Sequence, residues 1–159
     1  MSLYKIMLVD DEEEVRKSII KKIDWADAGF EVVGDAENGE EALEKLELLE
    51  PDVVVTDIRM PYMDGLALTE KIRQRYPSTK VVIFSGFDDF EYAQRAIQLN
   101  VTEYILKPVN VEEMTAILKK IRRNLDEEIA MRRDVDLLRE RYVASLPLMR
   151  EHVLNTLVR

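Results

Sequence analysis

VVVTDIRMPYMDG, residues 53–65, reads as a strand, a carboxylate and a turn in immediate succession. Three β-branched residues, Val53 to Val55, followed by Thr56 predict a strand buried on both faces. That strand delivers Asp57 to its carboxyl end, and Pro61 and Gly65 then turn the chain toward a helix. An ionised carboxylate at the end of a buried apolar strand is costly unless its charge is used there. In open α/β sheets, ligand chemistry gathers at the carboxyl ends of the strands. Alone, Asp57 could equally cap a loop or face solvent, so its meaning depends on what the other strands bring to the same edge.

Outward from Asp57 the chain repeats one pattern. Lys5 to Val9 predicts a first strand ending on Asp10, Asp11 and Glu12. A helix follows, with Val15, Ile19, Ile20 and Ile23 at helical spacing. Phe30 to Val33 predicts a second strand. Asn38 with Glu41 forms a capping box for a helix carrying Ala42, Leu43 and Leu46, which Pro51 closes. After the central strand come a helix from about Leu66 to Tyr76 and a strand from Lys80 to Phe84 that ends at Ser85-Gly86. Asp88 or Asp89 then caps a helix with Phe90, Ala93, Ala96 and Ile97. Glu103 to Leu106 is a short fifth strand ending at Lys107-Pro108, and Asn110, with Glu113, caps a helix holding Met114, Leu118, Ile121 and Leu125. Five alternations of strand and helix predict a doubly wound α/β fold with a five-stranded parallel sheet, order 2-1-3-4-5 and flavodoxin-like. The domain is expected over residues 1–125, with 126–159 as an amphipathic helical linker.

Composition narrows the function classes. The chain has 159 residues, 47% apolar and 35% charged, enough to bury one core of ordinary size. Its apolar runs are too short to span a membrane, the start MSLYKIMLVDD carries no secretory signal, and no cysteine is present. A cytoplasmic location is expected, without membrane contact. Residues 1–108 hold 13 Lys and Arg against 23 Asp and Glu, and residues 109–159 hold 10 against 9. Neither part has the basic stripe of a nucleic-acid surface, so no direct nucleic-acid binding is expected from this segment. His152, the only histidine, reads as a surface or packing residue, which argues against histidine catalysis within the chain.

Parallel strands place Asp10, Asp11, Asp57, Ser85 and Lys107 on one edge. Three crowded carboxylates repel unless a cation sits among them, and hard oxygen ligands suit Mg²⁺. Lys107 adds a positive charge and Ser85 a hydroxyl, which together outline a site for a phosphoryl group. Each residue has a plainer reading: Asp10-Asp11 as a helix cap, Ser85 as a turn residue, Lys107 as an exposed side chain. Those readings would have to hold independently at four strand ends.

With VDDE, DIRMPYMDG, SGF and YILKP in this order and spacing, the chain resembles the receiver domain of two-component response regulators over roughly residues 3–125. The resemblance implies a phosphorylation-dependent signalling switch, not a metabolic enzyme, in which Asp57 accepts a phosphoryl group from a sensor histidine kinase. It implies Mg²⁺ held by Asp10, Asp11, Asp57 and the backbone carbonyl of Arg59, with Ser85 and Lys107 on the phosphoryl oxygens. Ser85 and Tyr104 would be the switch residues, and Pro108 would follow a cis peptide bond. Where that family most often has threonine this chain has Ser85, so the hydroxyl is kept and a methyl lost. Arg59 and Phe87 stand where side chains can shield the site from water.

Beyond Leu125 an apolar stripe runs through Met131, Val135, Leu138, Tyr142, Leu146, Met149, Val153 and Leu157. Its average step is nearer an ordinary amphipathic helix than a heptad, only Met131 to Tyr142 keeps 4-3-4 spacing, and Leu146-Pro147 should break it. Such a stripe implies a partner, and a homodimer through the helix-four/strand-five surface (Phe87 to Tyr104) or through this tail is expected. SGFDDFEYA and LPLMREHVLNTL resemble regulators with an AraC-type DNA-binding output, a domain these 159 residues do not contain. Two other classes compete: a Mg²⁺-dependent phosphatase of the haloacid-dehalogenase type, which carries a second acid where this chain has Arg59, and a receiver-like module that is not phosphorylated.

Overall fold

The computed structural model describes residues 3–86, 90–107 and 110–145. The elements in chain order are β1 (Tyr4–Val9), α1 (Glu13–Lys22), α2 (Trp25–Ala28), β2 (Phe30–Ala36), α3 (Gly39–Leu49) and β3 (Val53–Asp57). There follow α4 (Gly65–Arg75), β4 (Lys80–Ser85), α5 (Phe90–Gln98), β5 (Glu103–Leu106) and α6 (Val111–Ser145). The chain divides into two compact units, one ending at Lys120 and one beginning at Ile121.

All five strands are parallel, in the order β2-β1-β3-β4-β5. The expected fold class is therefore the observed one. Strand order reverses between β1 and β3, which makes the carboxyl edge there a topological switch point. The inner strands β1, β3 and β4 read as near-continuous apolar runs because both faces are covered, whereas the edge strands β2 and β5 are half-exposed. On one face Met7, Val9, Val54, Val81 and Ile83 cluster with Ala42 and Leu46 of α3, Leu66, Leu68 and Ile72 of α4, and Ala96 of α5. The alternate strand residues Ile6, Leu8, Val53, Val55, Val82 and Phe84 are equally buried and point to the opposite face by the period of two.

Local chemistry sets the boundaries. Asn38 Oδ1 accepts from the Glu41 amide at 2.9 Å, as the capping box requires, but Glu41 Oε2 reaches the amide of Glu37 rather than that of Asn38. Asp64 caps α4 by accepting from the Ala67 amide at 2.8 Å. β5 spans Glu103–Leu106 as expected. β2 runs on to Ala36, past the expected end at Val33, because a register shift between Ile6 and Met7 of β1 lets pairing continue to Val9 opposite Ala36. Gly34 lets α3 pack close at this point, since a Cβ there would lie 2.7 Å from Leu49 Cδ1 and push that side chain aside. The short helix α2 was not anticipated. Asp24 caps it at the Asp27 amide, and Gly29 closes it at φ 98°.

The last helix begins where expected: Asn110 Oδ1 accepts from the amides of Glu112 at 2.8 Å and Glu113 at 3.1 Å. Neither glycine nor proline occurs from Val111 to Ser145, so nothing in the sequence breaks the helix over that span. Asn110→Ala is expected to cost about 1 kcal/mol by orphaning those two amides. A fall in the urea midpoint with unchanged slope would show it, and an unchanged midpoint would contradict it. The expected helix break at Leu146-Pro147, the stripe beyond Ser145, the Asp88 or Asp89 cap and the Lys107-Pro108 bond lie outside the described residues. So do Phe87 and the side chains of Phe90 and Tyr92.

Candidate functional site at the carboxyl edge

The sheet register brings the expected residues together. Val9 pairs with Thr56, Asp57 with Phe84, and Ser85 with Leu106. Each residue that follows β1 or β5, or ends β3 or β4, therefore projects at one edge. Asp57 is buried, and its Oδ1 accepts from the Ile58 amide at 2.7 Å. Its Oδ2 receives Lys107 Nζ at 3.0 Å, and the same ammonium stands 3.5 Å from Asp10 Oδ2. One lysine thus bridges two acids brought from neighbouring strands. The Lys107 ammonium also lies over the Phe84 ring, 5.0 Å from its centroid. Burial acts to lower its pKa, but the hydrogen bond and charge of Asp57, joined by Asp10, outweigh this and hold it above the ordinary lysine value.

Asp10 is fully buried, and Oδ1 accepts from the Glu12 amide at 2.8 Å. The plainer reading of Asp10 as a cap is thus also physically present, one residue before α1. Its Oδ2 finds no hydrogen bond among the described residues, and at 3.5 Å Lys107 is a longer contact than a charge-assisted bond. Burial pushes the Asp10 carboxyl up to about 6, against the Glu12 amide and Lys107, which lower it, while the charges of Asp57 and Asp11 raise it further. A buried carboxylate oxygen lacking a donor suits a cation.

The carboxylate oxygens of Asp10, Asp11 and Glu12 lie within 4.8 Å of one another. That cluster contains Glu12, which sequence reasoning did not place in the site, and lacks Asp57, whose Oδ2 rests on Lys107. The signal for Glu12 was the acidic run itself. Arg16 was also missed. It is buried, its Nε donates to Asp35 Oδ2 at 2.8 Å, and its Nη1 donates to the Asp10 carbonyl oxygen. Its spacing from Ile19 and Ile23 places it on the inward face of α1, which was the available sign.

The segment from Ile58 to Gly65 closes tightly behind Asp57. The Gly65 amide donates to Ile58 O at 2.7 Å, and a Cβ on Gly65 would lie 2.0 Å from the Asp57 carbonyl oxygen. The Gly39 amide ties the loop to α3 through Met63 O at 3.1 Å. Tyr62, 85% exposed, sits in the left-handed region at φ 67°, a strained conformation of the kind found beside functional sites. Arg59 is exposed. Ser85 is buried at the end of β4, and its carbonyl oxygen accepts from the Lys107 amide at 2.7 Å. Tyr104, opposite Ile83, packs against the apolar cluster, and its buried hydroxyl has no hydrogen-bond partner among the described residues.

A doubly wound sheet with three acids and a lysine at its switch-point edge defines a class of α/β domains that handle anions together with hard cations. Within that class the chain belongs to the response regulator receiver domain family, which it matches over residues 6–119. It is 40% identical over 119 residues to the transcriptional regulatory protein YesN of Bacillus subtilis, covering 75% of this chain and 32% of YesN. It is 36% identical over 126 residues to the transcriptional regulatory protein HptR of Staphylococcus aureus, covering 79% of this chain and 49% of HptR. The solved receiver domain of AraT, a response regulator from Geobacillus stearothermophilus, is 39% identical with a TM-score of 0.76, covering 79% of this chain and 98% of that domain. A two-component transcriptional regulator AraC from Clostridium phytofermentans is 36% identical with a TM-score of 0.69, covering 75% and 92%. The chain spans only a third to a half of the length of these curated relatives. Receiver domains serve phosphorylation-dependent signalling, interact with histidine kinases and generally bind Mg²⁺ in an acidic pocket. Among the described residues no helix is long and apolar enough to cross a membrane.

Proposed function

We propose that Asp57 is the phosphoacceptor of a cytoplasmic signalling switch and takes its phosphoryl group from a sensor histidine kinase. Residues 1–125 form the receiver in this reading. Residues 126–159 form a linker to an output that controls transcription, and a second copy of the chain is a further partner. The observation that carries the reading is the Lys107 bridge: one ammonium lies within 3.0 Å of Asp57 and 3.5 Å of Asp10. A side-chain oxygen of Asp57 attacks the phosphorus, the bond from phosphorus to the donor's nitrogen breaks, and an acyl phosphate forms. Lys107 neutralises charge on the transferred oxygens, and the Ser85 hydroxyl donates to one of them. The chain catalyses only this transfer to itself and the later hydrolysis.

Asp10, Asp11, Asp57 and the Arg59 carbonyl would hold Mg²⁺, with Glu12 beside them. The donor set fits, since all are hard oxygens and Asp10 Oδ2 has no hydrogen bond among the described residues. When bound, Mg²⁺ supplies positive charge that offsets crowding among the acids and the incoming group. Arg16 holds the Asp10 backbone, so the aspartate keeps its place whichever cation is nearby.

Ser85 and Tyr104 are the switch. The buried Tyr104 hydroxyl finds no hydrogen-bond partner among the described residues, and a buried hydroxyl left so costs about 1–3 kcal/mol, which disfavours its inward position. A new dianion that draws Ser85 toward Asp57 can tip that balance.

The test is mass spectrometry of the chain after incubation with acetyl phosphate. A single phosphoryl adduct that requires Mg²⁺ and is released by hydroxylamine, as an acyl phosphate is, is expected. A chain that stays unmodified with the metal present would contradict the proposal.

A further inference from the structure

From Ile129 to Val143 every residue of α6 is exposed. An isolated helix of that length is marginal in water, because helices in proteins owe their stability mostly to packing of an apolar face. Met131, Val135, Leu138 and Tyr142 lie on one such face, between 47% and 68% exposed. A shallow groove lined by Met131, Arg132, Val135 and Asp136 runs beside it. The other exposed apolar residues here, Ile129, Leu137 and Val143, share no spacing of three or four.

The flanking charges specify what covers this face. With Val135 and Tyr142 at the a positions of a heptad and Met131 and Leu138 at d, Arg132 and Arg139 fall at e, and Glu127, Asp134 and Arg141 at g, the last with its e partner beyond the segment. In two parallel, in-register helices each g residue meets the e residue five positions later on the other helix. Glu127 then faces Arg132 of the second copy, and Asp134 faces Arg139. Two-fold symmetry doubles both pairs. An antiparallel pair would set e against e and g against g, so arginine would meet arginine at e and only one acid at a time could meet Arg141 at g, giving at most two opposite-charge pairs where the parallel pair forms four. Glu128 at the preceding a position marks where the apolar seam begins.

We infer that residues 127–142 form a short parallel, in-register coiled coil with a second copy of this chain. The inference deepens the self-association in the proposed function and is independent of the chemistry at Asp57. With so few apolar layers the dimer is weak and its partner choice rests heavily on the e and g charges.

Sedimentation equilibrium of the 1–159 chain without any phosphoryl donor should show reversible dimers. Two charge variants then test the pairing: Glu127→Arg with Asp134→Arg, and Arg132→Glu with Arg139→Glu. Each alone should dimerise about tenfold more weakly or worse, because four opposite-charge pairs become four like-charge pairs. Mixed together they should recover a heterodimer. Orientation is read by cysteine, of which the chain has none. Met131→Cys and Tyr142→Cys should each cross-link to itself under a mild thiol oxidant, whereas an antiparallel pair can bring at most one of these positions to its twin. A wild-type chain monomeric at every concentration would overturn the inference. So would charge variants that dimerise undiminished, or cross-linking at only one site. In none of these cases is the acetyl phosphate adduct at Asp57 affected, so failure here and failure of the phosphoacceptor reading are separable.

Discussion

Asp57→Asn is expected to abolish the phosphoryl adduct that acetyl phosphate and Mg²⁺ produce in the wild-type chain. The amide has nearly the same shape and keeps an oxygen to accept from the Ile58 amide, now met by Asp57 Oδ1 at 2.7 Å. It has no carboxylate to form an acyl phosphate, so the loss is of the reaction and not of the fold. Removing the charge also takes Lys107 from its closer partner at 3.0 Å and leaves Asp10 at 3.5 Å as the remaining carboxylate. Asp10 gains in turn, because the Asp57 charge is among the causes that raise its pKa. These electrostatic changes oppose each other, so the thermal midpoint should move little while labelling falls to background. Undiminished labelling of a folded Asp57→Asn variant would refute the assignment, and parallel Asp10→Asn and Asp11→Asn variants would then locate the true acceptor.

Gly65→Ala is the second large effect. The new methyl would begin 2.0 Å from the Asp57 carbonyl oxygen, 2.9 Å from its carbon and 3.0 Å from Ile58 Cα. All three obstacles are backbone, so no side-chain rotation relieves them. Either α4 retreats, breaking the 2.7 Å bond from the Gly65 amide to Ile58 O, or the end of β3 shifts. A loss of about 3 kcal/mol is expected, at the upper end for overpacking, which lowers the melting temperature by roughly 10 °C. Labelling of Asp57 should fall even at temperatures where the variant is folded, since the strand end that aims the nucleophile has moved. Gly86→Ala is the control, because among the described residues a Cβ there meets nothing within 4 Å. If both alanine variants melt together, close packing behind Asp57 is not what Gly65 provides.

The inner strands were legible because they are buried on both faces and so stand out as apolar runs, each ended by a polar residue, while the half-exposed β2 and β5 showed as short apolar stretches between turns. Val53 to Thr56 before Asp57, and Glu103 to Leu106 before Lys107, needed no tertiary information. The caps at Asn38 and Asn110 were legible for a similar reason, as a side chain and an amide three residues apart meet locally. What escaped depends on partners distant in sequence. β2 reaches Ala36 only because β1 slips register opposite it. Arg16 looks like any charged helix residue until Asp35 and the Asp10 carbonyl are placed against it. That Lys107 bridges Asp57 and Asp10 is a three-strand fact. Glu12 stood in plain view in the acidic run, but only the turn made by Asp10 folds it back toward its neighbours. The helix α2 was missed although Asp24 and Gly29 bracket it, because four residues are too few to show a period.

The unanticipated helix α2 has a practical consequence. It carries Trp25, the only tryptophan in the chain, buried at 8% exposure with its indole nitrogen donating to Ile20 O at 3.0 Å. Because α2 leads into the start of β2, this lone indole sits at the amino-terminal side of the sheet, away from the strand ends that hold Asp57, and excitation at the red edge, where the six tyrosines absorb little, isolates its emission. Its spectrum is therefore an uncontaminated gauge of whether the sheet unit is folded. Emission should redshift when that unit unfolds and stay constant as metal or phosphoryl donor is added. Optical melting and chemical labelling can then be followed in one cuvette without either signal leaking into the other.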